Sequence, residues 1–222
     1  MTPVEIGLLA LAAVAAVVDW TAVAVGGRRG STLERLAKPA VLLALIALVL
    51  VQPDLAGSGG GHGWLLAGLV ASLAGDVLLL PPGRFVPGLA MFLLAHLASL
   101  AAFVTGGGLM TAWLVAGAAV AVVVLLTAGR LLVGAARRIG LAVPVSAYMA
   151  AISLMAIAAT GTGEPAAIAG GWLFVASDAM LGWGRFRSPS PGVPRAGGRR
   201  LGVAVMVSYH LAQALIVLAL VG

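Results

Sequence analysis

The sequence predicts an all-α protein, a polytopic membrane bundle of eight transmembrane helices with both termini on the non-cytoplasmic side. Two observations lead to this prediction. The chain is 62% hydrophobic and only 9% charged, with a mean hydropathy of +1.14, whereas soluble domains carry roughly 25% charged residues. Its apolar residues also form eight stretches that are long enough, or nearly so, to cross a hydrocarbon layer about 30 Å thick. We therefore predict a single integral membrane domain over residues 1–222.

The first four predicted helices are each followed by a charged or glycine-rich connection. Helix 1 carries Glu5 and has no basic leader, so we interpret it as a retained helix and not as a cleaved signal. Helix 2 is short and begins beside Lys38. Helix 3 contains the stretch ASLAGDVLLL, and PPGRF separates it from helix 4. We place these helices at 4–25, 37–52, 64–81 and 85–104.

The last four predicted helices are equally apolar. Helix 5 follows TGGG and has a blurred end, and helix 6 follows the basic stretch GRLLVGAARRIG. Helix 7 follows GTGEP, and the longest basic connection, RFRSPSPGVPRAGGRR, separates it from helix 8. We place these helices at 109–128, 139–160, 165–184 and 201–221.

The basic residues set the predicted orientation. All 13 Lys and Arg residues fall in the connections after helices 1, 3, 5 and 7, and the other connections contain none. Because cytoplasmic loops are enriched in Lys and Arg, this alternation places both termini outside the cytoplasm. The dispersed charges suit lipid headgroups better than nucleic acid. We expect an integral protein of a bacterial cytoplasmic membrane, with the lipid bilayer and no nucleic acid as partner.

Polar side chains inside the predicted spans fall at one depth. Counting from the cytoplasmic helix ends at 1.5 Å per residue places them about 7–18 Å from that face. Such residues usually face the bundle interior or a water-filled cavity, so we expect a polar cavity open toward the cytoplasmic half. The layer contains Asp19, Asp76, His96, Tyr148, Asp178, Tyr209, His210 and Gln213, with Lys38 at the mouth of helix 2.

Several of these residues also have structural interpretations. Asp76 and Asp178 are interpreted as a functional pair. Two structural alternatives are a helix-packing pair and ion pairs with Arg84 and Arg185. Asp19 lies close enough to the interface to pair with Arg28, Arg29 or a headgroup. His96 and His210 suit a hydrogen-bonded core as well as a site.

Several segments, in matching order along most of the chain, resemble one protein family, the lysoplasmalogenases or YhhN-like family of eight-span membrane proteins. The resemblance implies hydrolysis of the vinyl-ether bond of a lysoplasmalogen, which gives a fatty aldehyde and glycerophosphoethanolamine or glycerophosphocholine. The segments are KPAVLLALI, SLAGDVLLL, FVPGLAMFLLAH, YMAAISLMAIAA, GGWLFVASDAMLGWGRF and SYHLAQALIVLAL.

The resemblance also implies a set of site residues. The family's glycine-aspartate and serine-aspartate pairs fall on Gly75–Asp76 and Ser177–Asp178, which makes Asp76 and Asp178 the expected catalytic residues. The chain departs from the family pattern at Ser99 and His210, where aromatic residues are common. With Tyr148 added from the polar layer, the expected substrate-binding residues are Lys38, His96, Tyr148, Ser177, Tyr209 and Gln213.

The chemistry of a vinyl ether suits a pair of carboxyl groups. Protonation of the β-carbon leaves an oxocarbenium ion, to which water adds, and the hemiacetal collapses to an aldehyde and an alcohol. The reaction needs a protonated acid and an ionised carboxylate, and two neighbouring buried carboxyl groups titrate as such a pair. We expect a lysophospholipid substrate and no cofactor. The oligomeric state is left open, with a homodimer as one option.

Two other functions compete with this interpretation. A transporter or flippase of a small polar lipid would also bury aspartates, but paired mid-span interruptions of its helices are expected and none is evident. A metal-dependent hydrolase would use Asp76, Asp178, His96 and His210, although their spacing is not that of a tight metal site. We therefore expect no metal.

Overall fold

Helices make up nearly all of the part of the chain that the computed structural model describes, residues 1–52, 60–186 and 198–221. This confirms the all-α prediction. Eight helices follow one another in these ranges, and the fifth contains one π-helical turn, Leu125–Gly129. They are α1 (Pro3–Val25), α2 (Gly27–Leu50), α3 (Gly61–Leu79), α4 (Phe85–Gly106), α5 (Thr111–Arg137), α6 (Ala142–Gly161), α7 (Pro165–Phe186) and α8 (Gly198–Val221).

Seven of the helices in the described ranges are long and apolar enough to cross a membrane. The exception is α2, which is 24 residues long but carries Glu34, Arg35 and Lys38 close together in its first half. Length and composition therefore confirm an integral membrane protein with seven candidate spans. The eighth span, and the side of the membrane on which the termini lie, stay predictions.

Two of the predicted basic connections are in fact largely helical. α2 begins at Gly27 and not at residue 37, and α5 continues to Arg137 beyond the predicted end at residue 128. The prediction had left most of the charged residues outside these two helices. It started α2 after them and ended α5 before them. Arg is a good helix former, and its long side chain reaches water from the end of a membrane helix, so the charges did not require the helices to stop.

A glycine turn joins the first two helices directly. Gly26 has a φ of +63°, a conformation that other residues rarely adopt, and it lets α2 start immediately after α1. A Cβ on Gly30 would lie 2.5 Å from the carbonyl oxygen of Ala22. The turn therefore holds the start of α2 tightly against α1.

The helices pack as a ring with one member outside it. In the order α1, α2, α3, α4, α6, α7, α8, each helix contacts the next, and α8 returns to α1. α5 lies outside this ring, where it packs on α6 and contacts α7. α8 also contacts α2, α3 and α4. It is therefore the most central helix, and its side chains reach partners across the ring.

Small residues allow the ring to close at the level of the polar layer. A Cβ on Gly75 of α3 would lie 2.7 Å from the ring of Phe92 on α4. A Cβ on Gly170 of α7 would lie 3.1 Å from the carbonyl oxygen of Ala212 on α8. Close approach at small residues is a common way for membrane helices to pack, and here it brings the polar side chains within hydrogen-bonding range.

Candidate active site

A small cavity brings the two predicted catalytic aspartates together. Asp76 of α3 and Asp178 of α7 both line it, with Lys38 of α2 and Tyr209 of α8. We call this space the inner chamber. Its volume is about 80 Å³, whereas one liquid water occupies roughly 30 Å³. The inner chamber therefore has room for water and a few reacting atoms, but not for a whole lipid.

Asp76 is held by side chains from two other helices. Lys38 Nζ lies 3.1 Å from Asp76 Oδ1, and the Tyr209 hydroxyl donates to Asp76 Oδ2 at 2.8 Å. The side chains of Lys38 and Asp76 are only 6% and 1% exposed. Each carboxylate oxygen of Asp76 thus has one partner, and the partner of Oδ1 is a buried cation.

Asp178 has a different set of partners. Tyr148 of α6 donates its hydroxyl to Asp178 Oδ2, and His96 Nε2 of α4 lies 3.1 Å from the same oxygen. His96 Nε2 also lies 2.9 Å from the Tyr148 hydroxyl, so three polar groups meet at one point. The Asp178 side chain is 13% exposed. Both contacts use Oδ2, and Asp178 also lines the inner chamber.

Aromatic rings join the surroundings of the two aspartates. His96 packs edge-on against Tyr148 and Phe174, with ring centroids 5.1 and 4.7 Å away. Tyr209 packs edge-on against Phe174 and Phe92, at 5.5 and 5.8 Å. Edge-to-face pairs at these distances are favourable. They fix the orientation of His96 and Tyr209, each of which contacts one aspartate.

Ser177 and Gln213 make contacts between helices. Ser177 lines the inner chamber, but its hydroxyl donates to the backbone carbonyl of Val205 on α8 at 3.0 Å. Gln213 donates to the Ser72 hydroxyl on α3 at 2.9 Å and does not line the chamber. Both contacts attach α8 to a helix that carries an aspartate, so their visible effect is to position Asp76 and Asp178.

Asp19 and His210 lie apart from the chamber lining. The side chain of His210 accepts a hydrogen bond from Trp20 Nε1 on α1 at 3.0 Å. Asp19 is fully buried, and within the described residues neither of its carboxylate oxygens accepts a hydrogen bond. The interpretation that Asp19 pairs with Arg28 or Arg29 falls on side chains outside the described part of the structure.

Comparison with known proteins identifies the family. The model of the YhhN family matches residues 33–220, which include every residue that lines the inner chamber. The chain belongs to the YhhN family. It is also 32% identical to human lysoplasmalogenase TMEM86B over 166 residues, which are 72% of this chain and 65% of the human protein. No solved structure matches the chain.

The human relative is longer than the region it shares with this YhhN protein. The matched region spans about 65% of the human chain. The name lysoplasmalogenase therefore describes the activity of the human protein. The geometry of its own site is the basis for proposing an activity of this YhhN protein.

The structure distinguishes among the interpretations left open for the aspartates of this YhhN protein. Asp76 is paired with Lys38, and Asp178 contacts His96 and Tyr148; neither aspartate is paired with Arg84 or Arg185 in the described residues. No group of three or more His, Cys, Asp or Glu within residues 1–52, 60–186 and 198–221 is arranged to hold a metal. The predicted residues that meet around the inner chamber or its aspartates are Lys38, Asp76, His96, Tyr148, Ser177, Asp178 and Tyr209.

Several residues of this YhhN site were missed in the sequence, and three of them share one pattern. Phe92 and Glu34 line the inner chamber, and Phe174 packs on His96 and Tyr209. Each lies four positions before a predicted site residue, since Glu34 precedes Lys38, Phe92 precedes His96 and Phe174 precedes Asp178. Residues four apart share a helix face. Extending each predicted site by one helical turn toward the N-terminus would have found all three.

Proposed function

We propose that this protein hydrolyses the vinyl-ether bond of a lysoplasmalogen, giving a fatty aldehyde and a glycerophospho-alcohol. The observation that carries this proposal is the pair of carboxyl groups, Asp76 and Asp178, that line one small chamber with different partners. Membership of the YhhN family and the name of the human relative support it. The reaction adds one water across the bond and needs proton transfers only, which carboxyl groups supply.

Asp76 suits the role of the ionised member of the pair. Both of its oxygens have partners, and one of these is the Lys38 ammonium at 3.1 Å. The ammonium and the donated hydroxyl both favour the carboxylate, and they act against the burial that disfavours a charge here. The carboxylate would stabilise the oxocarbenium ion, because its own position is fixed before the charge develops.

Asp178 suits the role of the proton donor. Its Oδ2 is held by Tyr148 and His96, while Oδ1 is left for the substrate. The Asp178 side chain is partly exposed and lines the chamber, which gives both the substrate and water access to its carboxyl group. A general acid must lie within hydrogen-bonding reach of the atom that it protonates, and a carboxyl group that lines the chamber meets this condition.

The proposed reaction proceeds in three steps. Protonated Asp178 transfers its proton to the β-carbon of the vinyl ether, and the electrons of the double bond form the new C–H bond. Water then adds to the oxocarbenium carbon and gives a proton back to the Asp178 carboxylate. The resulting hemiacetal loses the glycerol oxygen, which takes up the hydroxyl proton, and the aldehyde is released.

The proposed membrane arrangement places this chemistry at the interface. We take α2 as an eighth span, with both termini on the non-cytoplasmic side, because the basic residues all lie at alternate connections. Lys38 and Asp76 then lie in the cytoplasmic half of the membrane. A single-chain lipid would keep its tail among the helices and its headgroup in water.

The test uses purified protein in detergent with two substrates, lysoplasmenyl-ethanolamine and the matching ester lysolipid. We expect aldehyde release from the vinyl ether and no fatty-acid release from the ester. Asp76→Asn and Asp178→Asn should each lower turnover about 100-fold or more, as for loss of a catalytic acid or base. Normal turnover in either folded variant would reject the mechanism. No turnover of the vinyl ether by the folded unaltered protein would favour a lipid transporter instead.

A further inference from the structure

A second cavity lies beside the inner chamber. It lies among the ends of α1, α2, α7 and α8 and has a volume of about 300 Å³. We call it the outer cavity. The two spaces share Glu34, Leu181, Val205 and Met206 in their linings. The volume is at the lower limit of typical ligand pockets, roughly 300–1,000 Å³, so the outer cavity has room for a group that the inner chamber excludes.

The polar side chains around the inner chamber already contact the two aspartates, so they are poorly placed to bind a lipid phosphate. Lys38 and Tyr209 contact Asp76, while His96 and Tyr148 contact Asp178. An anion placed among them would also lie beside two carboxyl groups, and like charges in a buried site repel strongly. A phosphodiester therefore needs a different cation.

Two arginines lie where such a cation is needed. Arg185 lines the inner chamber, and its guanidinium carbon lies 5.0 Å above the centre of the Phe85 ring. Arg199 lines the outer cavity, and its Nε lies 3.0 Å from the point where a Cβ would sit on Gly26. Phe85 and Gly26 thus help to fix these two side chains. Arg is the preferred residue for phosphate, because its planar donors bind two oxygens at once.

A carboxylate completes the charge pattern. Glu34 lines both the inner chamber and the outer cavity and is half-buried. It lies one helical turn from Lys38 toward the outer cavity. A carboxylate at this position matches an ammonium group, so the three side chains together match a zwitterion with one phosphate and one amine.

Glu34 and Arg185 lie within the length of a lysophospholipid headgroup from the residues of the aspartate site. Glu34 lies about 6 Å from Lys38 along α2, and Arg185 lies about 10 Å from Asp178 along α7, at 1.5 Å per residue. Five covalent bonds separate the ether oxygen from the phosphorus, an extended span of about 6 Å. Four more bonds reach the amine nitrogen, at about 11 Å. A headgroup at the charged side chains thus leaves the scissile bond near the aspartates.

We propose that Arg185, Arg199 and Glu34 form the headgroup site of this protein, with the arginines on the phosphodiester and Glu34 on the ammonium. This inference rests on the proposed function for the identity of the lipid. It assigns substrate recognition to residues outside the catalytic pair.

The test compares three vinyl-ether substrates that differ only in the headgroup: 1-alkenylglycerol, its 3-phosphate and its phosphoethanolamine. Unaltered protein should prefer the two phosphate-bearing lipids in kcat/KM. Arg199→Gln and Arg185→Gln should lower this preference roughly 10-fold or more, mainly through KM, since each removes a charge-assisted hydrogen bond. Glu34→Gln should instead lower the preference for phosphoethanolamine over phosphate.

Matched control variants separate recognition from general charge effects. Arg200→Gln removes the neighbouring exposed charge, and Glu5→Gln removes a carboxylate from the start of α1. Neither residue lines the inner chamber or the outer cavity, and both variants should keep the headgroup preference. Arg199→Lys should retain part of it. Thermal unfolding of each variant checks that the protein is folded.

Failure of the headgroup site is distinguishable from failure of the proposed function. An unaltered preference in the folded Arg185, Arg199 and Glu34 variants would overturn the headgroup site while leaving vinyl-ether hydrolysis intact. If unaltered protein cleaves none of the three lipids, the proposed function fails. Binding of glycerophosphoethanolamine, measured by calorimetry, then tests the site alone. Binding that is lost in Arg199→Gln would support it, and no binding to unaltered protein would overturn it.

Discussion

Lys38 Nζ lies 3.1 Å from Asp76 Oδ1, and both side chains are almost completely buried. Moving two ions out of water is costly, and removing one partner of a buried pair leaves an uncompensated charge. The pair also connects α2, the most polar of the helices described, to the apolar helix α3. It therefore contributes to the position of α2 as well as to the charge of the proposed site.

Lys38→Met should destabilise the protein by about 3–5 kcal/mol, because Asp76 then lacks its cation. The double variant Lys38→Met/Asp76→Asn should recover part of this loss, since no charge is left unpaired. Unfolding in detergent, followed by circular dichroism, measures both effects. A double variant less stable than Lys38→Met would contradict the pairing.

Tyr148→Phe should lower kcat about 10-fold, because Asp178 loses the hydrogen bond that orients its carboxyl group. KM should change less, since the hydroxyl contacts the aspartate and not the lipid. Steady-state aldehyde release gives both constants. The matched variant is Tyr209→Phe, which removes the equivalent bond to Asp76. A Tyr148→Phe enzyme with unchanged kcat would show that this bond is not needed for proton transfer.

Gly75→Ala should destabilise the protein by about 1–3 kcal/mol, the usual cost of overpacking. The added Cβ would lie 2.7 Å from the ring of Phe92, which cannot move without disturbing Tyr209. Gly63→Ala on the same helix is the control, because nothing lies within 4 Å of its Cβ position. That variant should be unchanged or more stable by up to about 1 kcal/mol. Equal unfolding temperatures for the two variants would contradict the close packing of α3 on α4.

Asp19→Asn should retain vinyl-ether turnover, in contrast to Asp76→Asn. Asp19 is fully buried, does not line the inner chamber and accepts no hydrogen bond within the described residues. Asn has nearly the same size as Asp and cannot become a buried charge, so the unfolding temperature should stay the same or rise. Aldehyde release and thermal unfolding check the two parts. A loss of turnover like that of Asp76→Asn would place Asp19 in the reaction.

Single cysteines should reveal the orientation, because the natural chain has none. Met110 precedes α5 and Ile139 follows it, and both side chains are exposed. With both termini outside the cytoplasm, Met110→Cys should react with an impermeant maleimide in intact cells, and Ile139→Cys only after lysis. The reverse pattern would overturn the predicted topology. Reaction of both in intact cells would show that α5 does not cross the membrane.

That the site residues lie at one level of the bundle was predictable, whereas their partners were not. Helix rise is constant, so counting from the basic connections placed Asp76, Asp178 and Tyr209 in one layer. Which side chains meet depends on how each helix is rotated and on the order of the ring. The central position of α8 is a tertiary property, and it decides that Tyr209 contacts Asp76. No local pattern specifies it.

The helix boundaries show a similar division. The apolar core of each helix was predictable from composition. The starts and ends were less so, because Arg tolerates both helix and loop at the membrane surface. The extension of α2 back to Gly27 matters for the proposed headgroup site, since it places Glu34 on a helix and one turn from Lys38.

The central position of α8 has a consequence for biosynthesis. The ribosome delivers the chain from the N-terminus, so Lys38 is made before Asp76, and Tyr209 appears after the other residues that contact the two aspartates. His96 and Tyr148, in contrast, both precede Asp178. When Asp76 is made, its cation Lys38 is already present, but its hydroxyl donor Tyr209 is not. When Asp178 is made, both of its partners are already present. The proposed site is therefore complete only after α8 has been made.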